Sequence, residues 1–224
     1  MTIWLDPTPV DIPDALADLG LHPLAAETLV RRGFGEPSAA KSFLDSEEYV
    51  PTDAWELPDM RIAVERIEQA ILTGESICVW GDFDVDGQTS TALLVQTLRA
   101  LNANVHWHIP IRATESHGIK IPYLKEIIDN GAQLILTCDT GVGENDAIDY
   151  AKSRNVDVVV TDHHDLPEKL PNALAVVDPK RLPKGHPLST LPGVGVAYKL
   201  AEKLLISKGF SPSATKIATT RSYL

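Results

Sequence analysis

Five short apolar runs, at 76–80, 104–109, 133–138, 156–161 and about 173–177, are separated by stretches long enough for a helix. No other feature constrains the fold of this chain as strongly. Strands joined by helices are drawn into parallel order, because the crossover carries the chain back to the edge it left. Crossovers of one hand then cover both faces of the sheet, which explains why most of these runs are predominantly apolar. Segments 88–101, 120–130, 144–154 and 194–208 are read as the intervening and closing helices. The fold class predicted is α/β, a five-stranded, mainly parallel sheet with helices on both faces and an N-terminal helical lead.

The lead spans 1–75. Pro23 opens a helix that passes through Val30 and Arg31 and stops at Arg32-Gly33, and a second helix covers about 37–44. Ile62, Val64, Ile67, Ile71 and Leu72 form one apolar face of a third helix, ended by Gly74. A core lobe is expected over 76–210, and the polar stretch 211–224 reads as an unstructured tail. The chain has 224 residues, room for one sizeable α/β domain and a small appendage. No apolar run approaches the ~20 residues of a membrane helix, so no membrane association is expected. The N-terminal residues Met1-Thr2-Ile3-Trp4-Leu5-Asp6 lack a basic region followed by an apolar stretch, so no secretory signal is read there. Cys78 and Cys138 both fall in predicted strands without a CxxC partner, which suits reduced thiols in the core and a cytoplasmic protein.

The chemistry gathers where these strands end. The first predicted strand runs into Asp82-Phe83-Asp84-Val85-Asp86-Gly87, the third into Asp139, and the fourth into Asp162-His163-His164. Open parallel sheets bind ligands beyond the carboxyl ends of their strands, so these side chains are expected to share one edge. Carboxylates and imidazoles collected there describe a site for two divalent metals that activates water against a phosphate ester. Imidazole among the donors suits Mn²⁺ better than Ca²⁺.

Other readings of the acidic turn stand beside this one. An EF-hand loop would need a bidentate Glu where Leu93 stands, and a helix before the loop. The nucleophile loop of a haloacid-dehalogenase-like phosphatase would place Thr directly after the glycine, where this chain has Gln88. A purely structural cap for helix 88–101 would gain from the helix dipole, yet three aspartates within five positions repel one another. No GxSxG elbow supports nucleophilic serine chemistry. The net charge of −11 argues against nucleic acid, but bound cations would offset part of it. Arg112, Lys120, Lys125, Lys180, Arg181 and Lys184 also recur near the expected rim.

The runs Cys78-Val79-Trp80-Gly81-Asp82-Phe83-Asp84-Val85-Asp86-Gly87-Gln88-Thr89-Ser90, Thr137-Cys138-Asp139-Thr140-Gly141-Val142 and Val160-Thr161-Asp162-His163-His164 resemble the first three motifs of the DHH phosphoesterases. Within that superfamily the chain is most similar to the RecJ-type branch, bacterial exonucleases that act on single-stranded DNA from its 5′ end. The similarity extends from about Leu24 to Lys208, taking in Arg31-Arg32-Gly33-Phe34 and Leu191-Pro192-Gly193-Val194-Gly195-Val196-Ala197-Tyr198-Lys199.

The resemblance implies Asp84, Asp86, Asp139 and His163 as metal ligands and Asp82 as a ligand or supporting carboxylate. His164 would face the scissile phosphate or complete the metal shell, and Asp162 would orient the histidines, giving Asp162, His163 and His164 as the catalytic set. Arg112 is implied as a phosphate clamp, and His117, which replaces a usual Tyr, either meets DNA or is a surface histidine. Where many relatives carry a histidine this chain has Trp80, which shifts weight onto Asp82. A fourth motif and second lobe, expected after the core, are not found before Leu224, so the chain is read as an N-terminal fragment or a truncated or split product, with its own activity in doubt.

By the same resemblance its partners are single-stranded DNA, a single-strand-binding protein and a helicase, and it works as a monomer in DNA repair and recombination. A phosphoesterase of short oligonucleotides or cyclic dinucleotides uses the same core and stays open, as does a non-catalytic scaffold. For Leu191-Pro192-Gly193-Val194-Gly195 two readings are open: a phosphate-binding glycine turn of helix-hairpin-helix type, or close helix packing.

Overall fold

The structure is a computed structural model and describes residues 7–210. The predicted tail at 211–224 lies outside the described residues. The chain divides into two compact units, the first ending at Pro51 and the second beginning at Thr52. Three short helices, α1 (Asp14–Ala17), α2 (Pro23–Arg31) and α3 (Pro37–Leu44), make the first unit around Leu16, Ala26, Leu29 and Ala40. The sequence placed α1 in no element and α2 and α3 where they occur.

Helix α4 (Met60–Thr73) belongs to the second unit, so the predicted division at residue 75 is moved to Pro51. The physical reason is packing. Ala63, Ile67 and Ala70 on one face of α4 are fully buried in the same core as Ile77, Val79, Leu134 and Leu136 of the sheet. Gly74, in the left-handed conformation, ends α4 as its position in the sequence indicates.

The strands then follow as expected: β1 (Ser76–Trp80), β2 (Asn104–His108), β3 (Leu134–Cys138), β4 (Asp157–Thr161) and β5 (Ala175–Val177). Every pairing is parallel, and the spatial order is β2-β1-β3-β4-β5. Helix α5 (Val85–Ala100) begins three residues earlier than the sequence reading, because the Asp84 carboxylate caps it. Helices α6 (Arg112–Glu115), α7 (Ile121–Asp129), α8 (Asn145–Ser153) and α9 (Gly193–Ser207) complete the unit. Of these, only the single turn α6 was not foreseen.

The helices cover the sheet on both sides. One core holds α4, α5 and α9 against Ile77, Val79, Leu134, Leu136 and Val159. The other holds α7 and α8 against Cys78, Trp80, Ile135, Val158 and Val160. Alternate residues of the central strands β1, β3 and β4 thus enter opposite cores, and most of them are apolar. Cys78 and Cys138 are buried free thiols, each with its pKa pushed up to about 12 by burial, as small core residues should be. Trp80 is also fully buried, with its ring 4.4 Å from that of His108, so it fills the core. No helix among the described residues is long and apolar enough to cross a membrane.

In this order the chain leaves β1 toward one edge and β3 toward the other, which makes the β1/β3 boundary the topological switch point. Leu200, fully buried on α9, tests the packing behind it. Leu200→Ala should lower the unfolding free energy by about 2–5 kcal/mol. Leu72→Ala on the exposed side of α4 should change it by less than about 0.5 kcal/mol. Urea unfolding measures both, and equal losses would contradict the assigned faces.

Candidate metal centre

The acidic side chains stand at the switch point because the backbone leaves them no other place. Beyond Trp80 the chain turns through 81–84 into α5, whose first turn is closed by Asp84 Oδ1 accepting from Gly87 N at 2.9 Å. Gly87 permits that tight return, since a methyl there would fall 2.5 Å from the Asp82 carbonyl oxygen. Beyond β3, Asp139 takes a left-handed conformation (φ 61°), which Asp tolerates better than most residues. Its N–H donates to the Thr161 carbonyl at 3.0 Å, and Asp162 N–H donates to the Val177 carbonyl at 3.1 Å. The ladder therefore runs one step past the strands and sets Asp139 and Asp162 on neighbouring strand ends.

Two groups of possible ligands meet at Asp139. Donor atoms of Asp82, Asp84 and Asp139 lie within 4.8 Å of one another, and so do those of Asp139, His163 and His164. His163 Nε2 is 3.0 Å from Asp139 Oδ1 and 3.6 Å from Asp86 Oδ2. The first of these is close enough for an ion pair but not aligned as a hydrogen bond, so Asp139 Oδ1 is buried without a hydrogen-bond partner, as is Asp82 Oδ1. Orphaned buried carboxylate oxygens are costly in water-free surroundings, and a cation satisfies them. This oxygen and imidazole donor set fits a divalent metal. The EF-hand reading is excluded by the strand before the loop.

Asp86 differs from its neighbours. Its two oxygens accept from Gly193 N at 2.8 Å and Val194 N at 2.7 Å, across 107 and 108 residues. The amides at the start of α9 are thus already bonded to a carboxylate of the chain itself. Of the two readings of Leu191 to Gly195, close packing is the one realised: a methyl on Gly193 would fall 2.4 Å from Asp139 Oδ1. Asp86 can offer a cation only the lone pairs that α9 leaves over.

Asp162 is almost fully buried and does not face the donors. Its Oδ1 accepts from His163 N (2.7 Å), His164 N (3.3 Å) and His164 Nδ1 (2.7 Å), and its Oδ2 from Val142 N (2.9 Å). Burial raises its pKa, but the His164 hydrogen bond and these amides outweigh that and hold it below the usual carboxylate range. His164 in turn is raised to about 9, first by its bond to Asp162. Asp139 is raised to about 8 by burial and then by the charges of Asp86 and Asp84.

A cleft of 390 Å³ opens over this centre, with Asp82, Asp139, Asp162 and His164 at its base and Phe83, His117 and Glu144 among its walls. His117 therefore reaches the cleft. Arg112 is placed over the Phe83 ring, 4.8 Å from its centroid, at the rim. The loop carrying both is pinned by Glu115, buried with Oε2 2.7 Å from His108 Nε2 and Oε1 accepting from Ile111 N at 3.2 Å. Glu115, Phe83 and Glu144 were given no role by sequence reasoning. Asp178 was missed as well: it follows β5, is fully buried, leaves Oδ2 without a hydrogen bond, and is raised to about 7 by burial. The pattern of an apolar strand followed by Asp, already used for Asp139, would have found it.

A sheet of this order with acidic and histidine donors gathered at its switch point makes this an α/β domain with a candidate metal centre. Residues 76–220 match the model of the DHH family, N-terminal domain, and the chain belongs to that family. Its relatives include the single-stranded-DNA-specific exonuclease RecJ of Bacillus subtilis (strain 168), 40% identical over 187 residues, which are 84% of this chain and 24% of that protein. RecJ of Escherichia coli (strain K12) is 38% identical over 146 residues, 65% of this chain and 25% of that protein. The chain thus spans about a quarter of the length of these curated relatives. Among solved structures, RecJ from Thermus thermophilus in complex with Mn²⁺ superposes with a TM-score of 0.71 at 29% identity, covering 92% of this chain and 28% of that one. An exonuclease RecJ bound to manganese gives 0.68 at 33% identity, covering 75% and 43%.

The protonation pattern makes stability depend on pH in a defined direction. Asp139 and Asp178 have pKa values raised by folding, so the folded chain binds their protons more tightly than the unfolded chain does. Their effect is to destabilise progressively as pH rises from the ordinary carboxylate range to about 8 and about 7. His164, also raised, adds stability that is complete below its ordinary value of 6.5 and is lost as pH climbs through about 9. All three act in the same sense. In a chelator the melting temperature should fall between about pH 6 and about pH 9, and Asp178→Asn should raise it at about pH 8. Thermal unfolding by circular dichroism measures both; a melting temperature that rises over that window would contradict the assigned burial.

Proposed function

We propose that this chain is the catalytic-core portion of a RecJ-type exonuclease, a phosphodiesterase that hydrolyses single-stranded DNA from the 5′ end with two divalent cations. The observation that carries this reading is the place of Asp139 in both groups of possible ligands, a donor set that would suit two divalent cations side by side. Asp82 and Asp84 would complete one side, and His163 the other, with Asp86 contributing from the first turn of α5. The histidine donors favour Mn²⁺ over Mg²⁺. When bound, the cations would lower the pKa of the attacking water and offset charge on the phosphate and leaving oxygens.

The chain's own residues would do the rest. Asp162 fixes His164 through Nδ1, leaving Nε2 for a phosphate oxygen, so Asp162 orients while His163 and His164 meet metal and substrate. Arg112 at the rim and His117 in the wall are assigned to the DNA. By analogy with the relatives, the setting is DNA repair and recombination in a bacterial cytoplasm, alongside a single-strand-binding protein and a helicase, with the protein acting as a monomer.

Mn²⁺ titration followed by electron paramagnetic resonance should show saturable binding to the 224-residue chain. Asp139→Asn and His163→Ala should each weaken it roughly 10–100-fold or more, with far-ultraviolet circular dichroism unchanged. In a preparation active on 5′-labelled single strands, either variant should abolish turnover, while duplex of the same sequence should be spared. Wild-type turnover in either variant would refute the site. Preference for trimers over long single strands would reassign the substrate to short oligonucleotides.

A further inference from the structure

A second groove, of 240 Å³, lies between α5 and β2. Its lining includes Gln88, Val95, Gln96, Arg99, Trp107 and Ile109. Among the described residues β2 pairs with β1 alone, so it is an edge of the sheet, and Trp107 on it is 53% exposed. The Arg99 guanidinium stands 5.0 Å from the Trp107 ring centroid. Among the described residues Arg99 forms no ion pair, and no acidic side chain lines the groove, although the chain carries a net charge of −11.

We infer that this groove is a track for single-stranded nucleic acid outside the metal cleft. Its substrate class rests on the nuclease reading above. An exposed indole beside an arginine is the pairing that stacks unpaired bases, whose faces a duplex hides. Gln88 and Gln96 add amides that can reach base edges. Gln88, Val95 and Arg99 share one face of α5, and from Gln88 to Arg99 the helix rises about 16 Å, the length of roughly 3–5 stacked nucleotides.

The groove also meets the cleft. Gln88 Nε2 donates to the Phe83 carbonyl, and Phe83 both lines the metal cleft and carries Arg112. A strand passing the cleft would therefore meet one arginine–aromatic pair, Arg112 and Phe83, on one side of Gln88 and a second, Arg99 and Trp107, in the groove that Gln88 lines. An extended apolar peptide could pair with the free edge of β2, but it would have no use for the amides or for the junction at Phe83.

The test uses the 224-residue chain with fluorescent phosphorothioate oligothymidylates of three and twelve nucleotides in Mn²⁺, read by anisotropy. The twelve-mer should bind more tightly than the three-mer. Trp107→Ala should weaken the twelve-mer roughly 5–100-fold and leave the three-mer unchanged, and Trp107→Phe should restore most of the loss. Arg99→Ala should reduce the salt dependence of log affinity by about 0.7. Equal binding of the two lengths, twelve-mer affinity indifferent to Trp107, or equal competition by duplex would overturn the inference. Mn²⁺ binding is scored separately. A chain that holds the twelve-mer through Trp107 while its Mn²⁺ binding is indifferent to Asp139→Asn overturns the metal-site reading alone, whereas Mn²⁺ binding that depends on Asp139 with twelve-mer affinity indifferent to Trp107 overturns the groove alone.

Discussion

The carboxylate of Asp139 is crowded from every side, and the rest of the candidate site follows from that crowding. It is buried at a strand end and held in a left-handed backbone conformation. Gly193 of α9 packs directly against it, and His163, Asp82 and Asp84 bring their donor atoms to it. Such a group left alone is unfavourable, because burial and neighbouring charges both disfavour ionisation. A proton or a cation resolves the conflict. The surrounding fold, with two apolar cores clamped on the sheet, supplies the packing that keeps it from relaxing away.

Helix α9 links that site to the core. It buries Val196, Leu200 and Leu204 among the side chains of one face of the sheet, and its first two amides bond to Asp86. One end of the helix is thus structural and the other electrostatic. The glycine at its start is demanded by contact with Asp139, so the site and the packing of α9 share a single steric requirement. Membership of the DHH family is consistent with this economy, since the matched region begins at β1 and includes α9.

Much of this was legible in the order of residues. The five strands, the helices between them and the positions of Asp82, Asp84, Asp139 and His163 follow from apolar runs and from what ends them. Periodicity could not show where α4 belongs, because an amphipathic helix carries no record of which apolar surface it will meet. Nor could it show that Asp86 is occupied by amides more than a hundred residues away. Nothing in the sequence marked Glu115, whose part in the site comes only from the turn that closes it on His108. Asp178 went unread although the run at about 173–177 before it was read as a strand.

The sequence by itself determined a parallel α/β sheet and the edge at which its acids and histidines stand, because apolar runs fix burial and strand ends fix direction. Tertiary structure decided which of those groups are free to act. Asp82, Asp84, Asp139 and His163 keep donor atoms turned toward one another, whereas Asp162 spends its oxygens on orienting the loop after β4 and Asp86 spends part of its own on α9. The physical reason is that a carboxylate's role depends on which donors reach it first, and those donors arrive from chain segments that only folding brings near.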